Sequence, residues 1–299
     1  MSLKLVTAAA LLLATSTTAL AAEVKVKAPG DVVKASSPAD WKEIHADDLM
    51  VMNLATGKRV VIQLAPLFAP VHVANVKIMA RSGYWAKATI YRVVDNWVTQ
   101  WGLGDGEFKL PPKAVARPPE EYERPLTGLT LTPSGSPDPY SQMGAFTEGW
   151  PTALQLNGNV NPVYCYGAVG VARDAAPDTG SGSELFTVIG TPARRLDRNY
   201  ALVGRVIEGM ENLSALPRGT GEMGVYAKDQ TPTPILSVRM AADMPPADRP
   251  RYEVMKSGSA AFAEYVDLAS HRRDYGVGSP GAALCAIPVP IRKVPVERR

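Results

Sequence analysis

Tyr91-Arg92-Val93-Val94-Asp95-Asn96-Trp97-Val98-Thr99-Gln100 (YRVVDNWVTQ) decides how the chain folds. In an extended strand alternate residues share a face. Arg92, Val94, Asn96 and Val98 then have one parity, and Val93, Asp95, Trp97 and Thr99 the other. A regular strand cannot bring Arg92, Trp97 and Gln100 to one face. The chain must turn or bulge around Val94-Asp95-Asn96, where Asp-Asn is a natural turn pair. Arg92 alone reads as a surface arginine on a strand. An arginine and a glutamine interleaved with aromatics ask for more.

The flanks fit a barrel. Ala88 to Trp101 is a β-rich run closed by Gly102-Leu103-Gly104-Asp105-Gly106. That glycine cluster resembles a phosphate loop, but Pro111-Pro112 follows where a helix would have to begin, so a turn leaving a strand is expected. Upstream, Leu49–Leu54, Thr56-Gly57-Lys58 and Arg59–Leu64 read as strand, tight turn, strand. Pro70 to Ser82 has apolar residues at helical spacing, with Gly83 just past its end. Downstream, Gly167–Ala172, Glu184–Ile189, Ala201–Ile207 and Ile235–Ala241 read as strands, and Glu208–Leu216 as a short helix stopped by Pro217. Short strands at regular spacing with two clear helices predict a mainly β protein with a closed barrel.

Outside this frame, residues 107–162 are Pro-rich and irregular, and predict an inserted surface excursion. Residues 23–46 read as a linker or N-terminal arm. Residues 244–299 read as an appendage with one helix, near Ser259 to Arg273, and too few apolar residues for a core of its own. Residues 1–22 carry Lys4, an apolar Leu5–Leu13 and Ala19-Leu20-Ala21, the pattern of a cleaved export signal. That run is well short of the ~20 residues a membrane span needs.

The 299 residues are 46% hydrophobic and 20% charged, an ordinary globular balance. A net charge of +3 makes no case for nucleic acid. His45, His72 and His271 lack metal-ligand spacing, and incidental or exposed roles are expected for them. Cys165 and Cys285 would share an oxidising compartment after export, and their pairing is left open.

Four segments together resemble the cyclophilin family. Tyr91 to Gly102 is similar to its motif of aromatic, Arg, two aliphatics, turn pair, aromatic, aliphatic, any residue, Gln and a nearby glycine. Gly167–Arg173 resembles the strand before the family's substrate loop. Thr179, Gly180, Ser183, Glu184, Leu185 and Phe186 resemble the loop and the strand leaving it, and Leu196–Met210 the closing segment. Pro70 and Asn75 stand where the family has a proline and an asparagine. The likeness spans Asp47 to Asp243.

The resemblance implies a closed antiparallel eight-stranded β-barrel with two capping helices, spanning 47–243. It implies a peptidyl-prolyl cis-trans isomerase that needs no cofactor and acts on proline-containing polypeptides. Arg92 would stabilise the twisted amide and Gln100 would hold a substrate carbonyl. Trp97, Val98, Phe186, Leu196 and Tyr200 would line the proline socket, and Ala172 and Arg173 would offer backbone to the peptide. Trp97, Val98, Arg173 and Tyr200 replace the family's usual phenylalanine, methionine, asparagine and histidine. Arg195 takes the place of a tryptophan tied to cyclosporin binding, which implies weak inhibition by that drug. Glu184 replaces a glutamine, and could either pair with Arg92 against substrate or hold it in place. With the signal, this describes an exported, periplasmic monomer that assists folding. Two alternatives stay open: a cyclophilin-fold peptide-binding module or chaperone with little isomerase activity, and a barrel that serves as scaffold for its insertion and appendage.

Overall fold

The computed structural model describes residues 26–104, 109–191, 193–274 and 278–294. The signal expected at 1–22 lies outside them. In chain order come α1 (Pro29–Ala35), β1 (Trp41–Glu43), β2 (Leu49–Leu54), β3 (Arg59–Leu64), α2 (Pro70–Ser82), β4 (Thr89–Val93) and β5 (Val98–Gly102). Five short strands follow: β6 (Arg124–Pro125), β7 (Thr132–Pro133), β8 (Met143–Thr147), β9 (Trp150–Leu154) and β10 (Asn159–Pro162). The chain ends with β11 (Ala168–Val171), β12 (Leu185–Val188), β13 (Leu202–Glu208), α3 (Glu211–Ser214), β14 (Thr233–Met240), β15 (Tyr252–Met255), α4 (Ala260–Ser270) and β16 (Ile291–Lys293).

Eight strands close a barrel in the order β11-β12-β5-β4-β14-β2-β3-β13, and every neighbouring pair is antiparallel. Met50, Met52 and Leu54 on β2 and Val60, Ile62 and Leu64 on β3 fill its interior. Leu49 and Val61 point the other way and are buried too, under a second layer. Burial of both faces explains why these strands read as nearly continuous apolar runs. Helix α2 packs Val73, Val76 and Met79 into the same core and ends at Gly83 in the left-handed conformation (φ 69°). Leu213 of α3 joins it, and its carbonyl accepts from Thr99 Oγ1 at 3.3 Å.

The second layer corrects the expectations for three segments outside the barrel. Residues 23–46 are expected as a linker or arm, yet β1 pairs with β15 (Trp41 opposite Met255) and α1 packs against α4. Residues 107–162 supply a five-stranded sheet, β6-β10-β9-β8-β7, rather than an irregular excursion. Pro125 and Pro133 fall on its edge strands, where a missing N–H is tolerated. Val32, Trp41, Phe146, Phe262, Val266 and Ile287 share one core. No segment has enough apolar surface alone, which is why 244–299 reads as an appendage; three segments pooled make a core. Cys165 and Cys285, 120 residues apart, are joined in a disulfide that ties the C-terminal segment to the start of β11. Among the described residues no helix is long and apolar enough to cross a membrane.

Candidate functional site

Ile90 and Val93 are three residues apart, yet both are fully buried in the barrel. Alternation forbids this in a regular strand, and the register of β4 against β5 shifts between Ile90 and Arg92. The extra residue puts Tyr91 and Arg92 together on the outer face. The expected turn follows: Val94 N–H donates to the Val98 carbonyl at 2.9 Å, and Asn96 takes a positive φ of 48°. The irregularity thus has two parts, and the bulge lies earlier than the sequence suggests. On β5 Thr99 and Trp101 point inward with no exposure, so Val98 and Gln100 point out.

Backbone pairing then sets a row across the barrel: Arg92 opposite Gln100, Gln100 opposite Phe186, Phe186 opposite Gly170. A Cβ on residue 170 would fall 2.4 Å from Phe186 Cζ and 2.5 Å from the Tyr164 hydroxyl, so only glycine leaves room for them. Val98, Phe186 and Leu196 are buried in one apolar cluster, with Trp97, Tyr200 and Ala172 partly buried against it. Phe186 stacks on Tyr164 (centroids 5.9 Å) and meets the Tyr200 ring edge-on at 5.6 Å. The predicted socket residues therefore do come together.

Several of its supports are illegible in the motif. Trp150, from the second layer, and Tyr164, from the segment after it, pack into the cluster. Arg194, just before Leu196, is buried and donates to Asp138 (2.6 and 2.8 Å) and to Asp197 (2.5 Å). Burial pushes the Asp197 carboxyl above its ordinary value despite that guanidinium. Burial acts on Asp138 in the same direction, but bonds from Arg194 and Ser141 outweigh it and hold the carboxyl low.

Arg92 is partly buried, and loss of water draws its guanidinium below the usual arginine range. Its Nε donates to the Met223 carbonyl (2.8 Å) and its Nη1 to Gln100 Oε1 (2.9 Å). Gln100 Nε2 donates to the Tyr91 hydroxyl (2.7 Å), which donates to Glu184 Oε2 (2.8 Å). Glu184 Oε1 accepts from the backbone N–H of Leu103 (2.8 Å) and Gly104 (3.2 Å). Among the described residues Glu184 is thus linked to Arg92 through Tyr91 and Gln100. The N–H groups of Leu103 and Gly104, where the chain leaves β5, do hold an anion, and that anion is Glu184.

Ala172 N–H is engaged with the Glu184 carbonyl at 2.9 Å. The Arg173 guanidinium bonds Asn199 Oδ1 (2.6 Å) and lies 4.6 Å over the Tyr200 ring. Arg195 lies 3.8 Å over Trp97. The loop from Arg173 to Ser183 is held from behind: Asn75 Nδ2 donates to the Ser181 carbonyl (2.8 Å), and Thr179 Oγ1 to that of Pro118 (2.7 Å). His72, expected to be exposed or incidental, is completely buried between Glu121 and the Thr179 carbonyl. A lone histidine gave no sign of this.

The model of the family described as cyclophilin type peptidyl-prolyl cis-trans isomerase/CLD matches residues 49–240. A protein of Brucella suis biovar 1 (strain 1330) named "Probable peptidyl-prolyl cis-trans isomerase" is 26% identical over 225 residues, 75% of this chain and 96% of that protein. One of the same name from Brucella abortus (strain 2308) is 25% identical with the same coverage. The crystal structure of a cyclophilin from Hirschia baltica is similar with a TM-score of 0.68 and 25% identity, over 88% of this chain and 96% of that one.

Proposed function

The chain belongs to the cyclophilin-type peptidyl-prolyl cis-trans isomerases, and from that membership we propose where and how its isomerase activity is carried out. Rotation about an X-Pro bond breaks amide resonance against a barrier of roughly 18–20 kcal/mol. Uncatalysed exchange takes on the order of tens to hundreds of seconds. No proton or electron has to move, so a catalyst needs only to bind the twisted amide better than either planar isomer.

Arg92 is the catalytic group. As conjugation is lost the prolyl nitrogen regains a lone pair, and a guanidinium poor in water is a strong donor to it. Gln100 holds a substrate carbonyl with the second hydrogen of Nε2. The proline ring enters the cluster of Val98, Phe186 and Leu196, rimmed by Trp97 and Tyr200. Because the Ala172 N–H is already engaged, backbone contacts to the peptide come from the Ala172 carbonyl and from Arg173.

The observation that carries this reading is the direct Arg92–Gln100 bond one strand away from Phe186. Export to the periplasm is supported by residues 1–22 and by the Cys165–Cys285 disulfide, which suits an oxidising compartment. The clients are then proline-containing exported polypeptides. Titrating the 15N-labelled protein with a short Ala-Pro peptide tests the site. Shifts should centre on the Arg92 Nε–H, the Gln100 amide and the Trp97 indole; shifts confined to the second layer would place the site elsewhere.

A further inference from the structure

The outer face of the β4–β5 hairpin carries a directed series of side-chain hydrogen bonds that ends away from the socket. Arg92 can only donate, so Gln100 must turn Oε1 toward it and Nε2 away. Nε2 finds an acceptor in the Tyr91 hydroxyl, and that hydroxyl spends its proton on Glu184. Every donor points toward the carboxylate, the sense in which successive bonds polarise one another.

Three features of the backbone serve this series. The bulge puts Tyr91 on the same face as Arg92; without it Tyr91 would point into the barrel. Gly102 leaves space where a Cβ would lie 2.0 Å from Glu184 Oε2. The N–H groups of Leu103 and Gly104 hold the other carboxylate oxygen, so Glu184 is fixed before it meets Tyr91.

We propose that Tyr91 and Glu184 are positioning residues for the isomerase reaction, which set the amide orientation of Gln100 and through it the place of the Arg92 guanidinium. The proposal rests on the reading of Arg92 and Gln100 as the groups that touch substrate. Neither Tyr91 nor Glu184 contacts the client. Their effect lies in how often Arg92 and Gln100 are in place when the amide twists, so it appears in kcat rather than in KM.

Tyr91→Phe keeps the ring and removes one hydroxyl. On a proline peptide its kcat should fall about fivefold, the worth of one ordinary hydrogen bond, with KM within about twofold of wild type. Glu184→Ala should match it, and Glu184→Gln should not recover the loss, because its single amide oxygen cannot accept from both Tyr91 and the N–H groups of Leu103 and Gly104. The deciding experiment is a double-mutant cycle. In an Arg92→Ala background Tyr91→Phe should have no further effect on kcat, because it acts through Arg92. Losses that multiply, a rise in KM at constant kcat, or a Tyr91→Phe enzyme of wild-type kcat would overturn the proposal. Wild-type kcat in Arg92→Ala alone would overturn the underlying site reading instead, and the two failures are distinguishable.

Discussion

The imidazole of His72 lies against the Glu121 carboxylate, Nδ1 to Oε2 at 2.7 Å, across 49 residues of sequence. The same carboxylate accepts from the backbone N–H groups of Val71 and His72, at 2.8 and 2.9 Å, in the first turn of α2. It therefore caps a barrel helix from the second layer, while His72 Nε2 meets the Thr179 carbonyl in the loop beside the site. Glu121→Ala should destabilise the protein by about 1–3 kcal/mol in urea unfolding at pH 7, since it strands buried donors. Burial raises this carboxyl, but bonds from His72 and Val71 outweigh it and leave it below the ordinary value. A depressed carboxyl stabilises above its unfolded value and loses that effect as pH falls through its folded one. The gap between wild type and Glu121→Ala should therefore narrow toward pH 3; a constant gap would show that the charge is not what matters.

Glu208, at the end of β13, joins the barrel to the outer sheet. It bonds Lys293 and Tyr252, and pairs with Arg59 at 2.6 Å. Burial opposes ionisation, yet the bonds from Lys293, Tyr252 and Arg59 prevail and bring its carboxyl to about 2. The sign is the same as for Glu121. Stability from this junction is complete above pH ~4.5 and declines as pH falls toward 2. Hydrogen exchange at pH 3 should show β15 opening more readily than at pH 6, and Glu208→Gln should erase the difference.

Gly170 sets the floor of the socket. Gly170→Ala puts a methyl into the space of Phe186 and Tyr164 and should cost about 1–3 kcal/mol of stability. Its loss of kcat/KM should exceed that of a control such as Gly258→Ala, whose Cβ would meet nothing within 4 Å. Equal losses would mean that Phe186 is not part of the working pocket.

The Cys165–Cys285 bond closes a loop of 120 residues, and its reduction should lower stability by about 2–4 kcal/mol. Thermal melts with and without dithiothreitol, beside a Cys165→Ser/Cys285→Ser variant, give the comparison. An unchanged Tm in all three would show that the second layer holds without the staple.

What the sequence made legible was local or rested on resemblance. Thr56-Gly57, Pro70 and Gly83 mark a turn and two helix ends by short-range chemistry, and the structure has each of them. The parity conflict among Arg92, Trp97 and Gln100 announced an irregular hairpin, but not that the bulge falls at Tyr91, because a bulge is fixed by which residues the partner strand buries. The second layer stayed hidden because its apolar residues are divided among three distant segments. The β8–β9 hairpin is hidden in the sequence for a simpler reason: its turn is Glu148-Gly149, both at positive φ, and glutamate is an unusual choice there. Glu184 stands out as a departure, but one of its partners, Tyr91, reads as a motif aromatic rather than a hydroxyl.

The central claim is that Arg92 accelerates X-Pro rotation from beside the Phe186 socket. The most direct measurement is cis/trans exchange in a short X-Pro peptide, by exchange NMR, with wild type and Arg92→Ala at equal concentration. Wild type should exchange the peptide far faster than buffer, and Arg92→Ala should lose most of that acceleration while melting at a similar temperature. A folded Arg92→Ala protein that catalyses as well as wild type would contradict the claim.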